Sequence, residues 1–232
     1  MRDSLSILII CDPSLKNEIE LLIGEHRTNL TVIYWSKDSP IQPHPIDPIW
    51  DSEKHWDVLF SVYSDYILSP YALSKIRIPL NIHPALPENP GVGHDVYPLI
   101  DNQGNCGATI HWMEEKVDHG VIFESRVTPL HKNATYPLTR KLNQTAVLYL
   151  FEKWFKMATK GCQSELLEKL QASLGQGRGW TSPTSSTRDR RTRLIAFRKN
   201  NPSKWEQLQI PLSLLSTNSN RPTDLIHNNH SL

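Results

Sequence analysis

Leu5-Ser6-Ile7-Leu8-Ile9-Ile10-Cys11 is a nearly unbroken apolar run, rich in β-branched residues and closed by Asp12-Pro13. A strand with one face in water alternates apolar and polar residues. A run without alternation is buried on both faces, as in the middle of a parallel sheet. Leu15, Ile19, Leu22 and Ile23 then recur at helical spacing, which predicts a helix from Ser14 to His26 with Gly24 as its stop. Leu30 to Trp35 reads as a second strand. This β-α-β opening predicts an α/β fold, a Rossmann-like, doubly wound and mostly parallel sheet. Dinucleotide folds carry G-x-G-x-x-G after the first strand. Here the turn is Asp12-Pro13-Ser14-Leu15, without glycine, which argues against NAD or FAD there; a P-loop is also missing.

Outward from this unit, Pro40, Pro43, Pro45 and Pro48 make 36–49 a loop, because proline removes donors and biases its neighbours to extended forms. Trp50 to Trp56 reads as a short amphipathic turn. Asp57 to Val62, Ile78 to His83, Gly107 to Met113 and Val121 to Val127 are further predicted strands. Ser64 to Lys75 reads as helical, with Pro70 in a first turn. A long helix is predicted from an N-cap at Thr135 to about Lys160, closed by Gly161. Its stripe of Leu142, Ala146, Leu150, Trp154 and Met157 suits packing against the sheet. After Ala172 the composition shifts to alternating glycines, Ser/Thr/Pro, and a cluster of Arg188, Arg190, Arg191 and Arg193. This divides the chain into a catalytic domain over 1–172 and a short appendage over 173–232. Within the appendage 194–197 and 208–215 are candidate docking elements, and the tail beyond Ser216 reads as disordered.

The whole chain has 232 residues, a net charge of +1 and 38% hydrophobic residues. Nothing in that balance calls for a nucleic-acid or membrane partner. Cys11, Cys106 and Cys162 are scattered and odd in number, which disfavours a disulfide framework and a zinc site and fits a reducing, cytoplasmic setting. No metal-type spacing of His, Asp and Glu stands out.

The chemistry concentrates between Leu80 and Gly120. Residues two apart in a strand share a face, so Asn81 and His83 converge at the carboxyl end of the fourth strand, where open α/β sheets hold ligands. Asp118 lies in a turn that Gly120 tightens, within reach of that edge. An amide to donate to an oxyanion, an imidazole, and a carboxylate to orient it form an acyl-transfer set. No Ser or Cys nucleophile stands beside His83, which favours direct attack by an amine. The plain alternative is a satisfied turn pair and an ordinary Asp-x-Gly turn.

Asn81-Ile82-His83-Pro84-Ala85-Leu86-Pro87, Gly107-Ala108-Thr109-Ile110-His111 and Asp118-His119-Gly120 together resemble the formyltransferase family that uses 10-formyltetrahydrofolate. The likeness runs from about Leu5 to Lys160. It implies Asn81, His83 and Asp118 as catalytic residues: Asn81 and His83 steady the tetrahedral oxyanion, and Asp118 holds His83 and assists proton removal. It implies pterin contacts from two loops, here Tyr66, Ile67 and Leu68 after Asp65, and Glu115, Val117 and His119. His111 reads as structural.

Departures from the family narrow the acceptor. The turn at Asp12 lacks the phosphate cradle of the purine-pathway members, and the chain lacks the separate domain and basic loop of the tRNA enzymes. A small-molecule amine, best a nucleotide-linked amino sugar, remains. The loop Glu88 to Asp95 lacks the Arg-Gly of relatives, so His94 and Asp95 either face the acceptor or are solvated. The arginine cluster either meets a phosphate on the acceptor or is a solvated tail. Exposed edges and the tail are compatible with a homodimer. Two other readings stay open: a formyltetrahydrofolate hydrolase, and a non-catalytic folate- or nucleotide-binding module, which a blocked pocket at His83 would favour.

Overall fold

The computed structural model describes residues 5–25, 29–37, 50, 53–159, 166, 168–170, 172 and 179–216. The strands are β1 (Ile7–Cys11), β2 (Leu30–Tyr34), β3 (Trp56–Val62), β4 (Ile76–His83), β5 (Asn105–Trp112) and β6 (Ile122–Pro129). They form one sheet in the order β2-β1-β3-β4-β5-β6. β2, β1, β3 and β4 pair in parallel, while β5 and β6 add antiparallel. The helices are α1 (Lys16–Ile23), α2 (Pro70–Ser74), α3 (Tyr97–Ile100), α4 (Tyr136–Thr159), α5 (Thr187–Asn200) and α6 (Pro202–Leu208), with a 3-10 turn at Leu212–Leu215.

The continuous apolar run of β1 is explained by two covered faces. Ile7, Ile9 and Cys11 face one core with Val58, Phe60, Leu80 and Ile82, closed by Val147, Leu150, Phe151 and Trp154 of α4. Leu8 and Ile10 face the other core, with Trp35, Trp56, Leu59, Leu68 and Ala72. Trp154, Phe151 and Phe60 are fully buried, and truncating any one to alanine costs about 3–5 kcal/mol. A third, smaller core joins Val96, Tyr97 and Leu99 to Leu194, Trp205, Leu208 and Ile210 from the C-terminal elements.

Two expectations change. Ser64 to Lys75 is helical only over α2, because the Ser69 hydroxyl caps the Ala72 amide and Pro70 opens the helix. The residue before a proline is held extended, and Ser69 is extended. The arginine cluster is not a solvated tail but part of α5, which opens on a capping box between Ser186 and Asp189. Arg193 Nη2 donates to both Asp101 carboxylate oxygens, at 2.7 and 2.8 Å, and the guanidinium lies over the Tyr97 ring. The loop expected over 38–49, positions 51–52 of the expected turn, the helix stop at Lys160 and Gly161, Gly175 and Gly177, and the tail beyond Ser216 lie outside the described residues.

Candidate active site

β4 carries Asn81 and His83 to its carboxyl end, and the antiparallel register sets Asn81 opposite His111 of β5. The β5–β6 ladder shifts register between Ile110 and His111. Such bulges re-aim side chains beside functional sites. The loop after β5 then folds back to bring Asp118 between the two imidazoles. Its Oδ2 is 3.3 Å from His83 Nδ1 and its Oδ1 is 3.2 Å from His111 Nε2. Oδ2 also accepts from the Gly91 amide at 2.7 Å. Asp118 holds a left-handed backbone, φ 51°, a conformation that aspartate tolerates better than most residues. Gly120 behind it is irreplaceable, since a Cβ would stand 1.9 Å from the Trp112 carbonyl oxygen.

His111 was missed as a member of this set. Its Nδ1 faces its neighbour's carbonyl, Trp112 O, at 2.7 Å, and its Nε2 meets Asn81 Nδ2 at 3.0 Å. The pairing Asn81–His111 therefore links the amide to the carboxylate.

His83, His111 and Asp118 are all buried, whereas Asn81 is half-buried and keeps access to solvent. Neighbouring His83 and His111 hold the Asp118 carboxyl far below the usual carboxylate range, against its burial. Burial pushes the His83 imidazolium down, against the pull of Asp118. At neutral pH the pair is thus a neutral imidazole beside a carboxylate. His83 Nε2 lies 2.9 Å from the Asn89 carbonyl oxygen. A neutral imidazole has one N–H for these two acceptors, so with Nδ1–H given to Asp118 the Nε2 lone pair faces a carbonyl. Asn89 is itself clamped by two bonds to Gln103, at 2.8 and 3.1 Å.

Residues 179–186 close the site from outside. Trp180 sets its ring edge-on to His83 at 5.6 Å and to His111 at 4.9 Å, and its Nε1–H donates to Gly120 O at 3.1 Å. Ser185 pairs with the 90–92 loop: Val92 N donates to Ser185 O, and Ser185 N to Pro90 O, both at 3.0 Å. This explains Gly91, whose φ is 80° and where a Cβ would meet Ser185 O at 2.3 Å. Sequence reading left this segment out, because its Gly/Ser/Thr/Pro composition has no periodicity.

The expected pterin residues are placed less tightly. Tyr66 packs edge-on to Trp35 at 5.2 Å and Leu68 is buried in the second core. Ile67 and Val117 leave 42% and 41% of their surfaces exposed, apolar groups next to the sheet edge. Glu115 and His119 are exposed, and His119 Nδ1 meets Val117 O and Thr184 Oγ1. Among the described residues no cluster of three His, Cys, Asp or Glu suits a metal, and no helix is long and apolar enough to cross a membrane.

No protein-family model matches the chain. It is 28% identical over 156 residues to the bifunctional polymyxin resistance protein ArnA of Wigglesworthia glossinidia brevipalpis, a match over 66% of this chain and 21% of that protein. The chain thus spans about a fifth of that relative's length. Among solved structures, a 4-N formyltransferase from Francisella tularensis superposes with a TM-score of 0.60 at 20% identity, over 81% of this chain and 78% of that one. The chain has the formyltransferase fold. PseJ from Anoxybacillus kamchatkensis, solved with UDP-4,6-dideoxy-4-formamido-L-AltNAc and tetrahydrofolate, shares it with a TM-score of 0.52 at 18% identity, over 87% and 97% of the two chains. An N-formyltransferase from Helicobacter canadensis, in complex with folinic acid and dTDP-3-aminofucose, shares it over 66% and 64%, at 20% identity and a TM-score of 0.52. In this fold His83 stands on β4 and His111 on β5, while Asp118 stands on the loop after β5.

Proposed function

We propose that this protein transfers a formyl group from 10-formyltetrahydrofolate to a primary amine, best a nucleotide-linked amino sugar. The observation that carries the reading is the connected set of Asn81, His83, His111 and Asp118 at the carboxyl end of β4 in this fold. The amine nitrogen attacks the formyl carbon, and the carbonyl electron pair moves to oxygen. Asn81, the member open to solvent, donates to that oxygen. His83, neutral and held by Asp118, takes the amine proton at Nε2 once the Asn89 carbonyl withdraws. Collapse breaks the bond from carbon to the folate nitrogen, which takes the proton back from His83. The products are the formamide and tetrahydrofolate. Exposed Ile67 and Val117 suit the apolar faces of a pterin, with backbone groups of their loops as its polar partners.

The closure of His83 by Asn89 and Trp180 favours one second reading, a folate- or nucleotide-binding module without turnover. Incubation with 10-formyltetrahydrofolate and a panel of amines, reading tetrahydrofolate release, separates the readings. Release that depends on an amino sugar is expected. Release without acceptor marks a hydrolase, and tight folate binding without release marks the module.

A further inference from the structure

An open groove of about 430 Å³ lies between α1 and the first turns of α4, walled by Leu15, Glu18, Tyr136, Pro137, Arg140 and Lys141. Arg140 is half-buried there. Its guanidinium meets the Tyr136 hydroxyl at 3.4 Å and the Tyr63 ring at 5.8 Å. Among the described residues no carboxylate lies within 4.0 Å of it. The contrast within the chain is Arg193, whose Nη2 is paired with the Asp101 carboxylate and whose guanidinium covers Tyr97. Asp95, the carboxylate nearest in influence, is committed to His94 at 3.5 Å and to Asn143 Nδ2 at 2.9 Å. No carboxylate touches the guanidinium, so donors other than the Nη1 that meets Tyr136 remain for an anion in the groove. A planar fork of donors suits a phosphate oxygen pair.

A series of ring contacts runs from His83 to Arg140 at the groove. His83 to His94 is 5.9 Å, His94 to Tyr63 is 6.1 Å, and Tyr63 to Arg140 is 5.8 Å. His94 Nδ1 in this series is buried and makes no hydrogen bond. Lys141 adds a second positive charge and Glu18 a single negative one on the facing wall, so the lining is cationic on balance.

We infer that this groove binds the phosphate-bearing arm of a nucleoside-diphosphate ligand, with Arg140 as the anion-binding residue. The inference rests on the reading of the acceptor as nucleotide-linked and names where its diphosphate sits. Direct binding of UDP and dTDP by calorimetry tests it, with folinic acid titrated separately. Wild type is expected to bind one of the two nucleotides, and Arg140→Met to bind it about ten- to a hundredfold more weakly with folinic acid affinity unchanged. Arg140→Lys, which keeps the charge and loses the fork, falls between them, and Glu18→Gln binds a few-fold tighter. Inorganic pyrophosphate competes with the nucleotide in wild type and not in Arg140→Met. Equal nucleotide affinity in wild type and Arg140→Met overturns the site, as does a wild type that binds folinic acid but neither nucleotide. If Arg140→Met does not fold by circular dichroism, an Arg140→Lys protein with undiminished nucleotide affinity overturns it instead. A wild type that binds nucleotide through Arg140 but no folinic acid sinks formyl transfer and leaves this site standing.

Discussion

Asp118 accepts from the Gly91 amide and lies between two imidazoles, so it stays ionised far into acid. His83 beside it has an imidazolium that burial makes hard to form. In the proposed mechanism His83 is the general base and must be neutral, so kcat/KM rises with pH through its depressed pKa. The acid limb therefore falls below the ordinary histidine value of about 6.5, and the profile is flat from there to neutral pH. Asp118→Asn removes the largest influence that raises the His83 pKa, so the remaining activity shows its limb at still lower pH. The rate itself drops by about a hundred- to ten-thousandfold. A pH–rate profile of both proteins checks this, and a limb that moves to higher pH contradicts it. At this scale much was legible: Asn81 and His83 share a face because strand residues two apart do, and Asp118-x-Gly120 marks a forced turn. His111 was less legible because its role comes from cross-strand register, which a linear sequence does not state. The arrest of His83 by Asn89 was not legible at all, since it is made by a backbone carbonyl and leaves no side-chain signature.

Among elements, residues 179–186 differ most from what their composition suggests. They are held to the 87–92 loop by backbone bonds and to the site by Trp180, with little apolar burial of their own. Segments of that kind open at lower free energy than a sheet packed on both faces. Hydrogen exchange is expected to be faster at the amides of Val92, Thr181 and Ser185 than at those of β1 and β3. Trp180→Ala accelerates exchange in this segment and leaves β1 and β3 unchanged. Uniform protection across strap and strands would contradict the picture. The strands themselves were legible because their runs are long and β-branched. α5 was obscured by its arginines, since Leu194 is its one buried residue and carries no period by itself. Its start was written plainly in Ser186 and Asp189, a polar pair three apart that caps a helix.

For the whole molecule, the consequential arrangement is that residues far apart in the chain share the third core. Leu194, Trp205, Leu208 and Ile210 cover Val96, Tyr97 and Leu99, which follow directly on the loop that holds Asn89 and His94. The C-terminal elements thus brace the loop of Asn89 and His94 from behind. Leu194→Ala opens a cavity in that core at a cost of about 2–5 kcal/mol. The expected result is proteolytic cleavage within 187–216 at lower urea than in wild type, with the unfolding of the main sheet unmoved. Coincident loss of both would show that the two cores unfold as one unit. Sequence reading could not assemble this core because its apolar residues are isolated, one or two per segment.

Trp180 also makes the molecule its own optical instrument. An indole in edge contact with an imidazole loses emission when that imidazole gains a proton, because the cation quenches the excited ring. Trp180 touches both site histidines, so the emission lost on Trp180→Phe substitution isolates a signal from inside the catalytic cluster. Protonation at these two histidines and withdrawal of the 179–186 segment can then be followed by light, in solution and in real time, without a label.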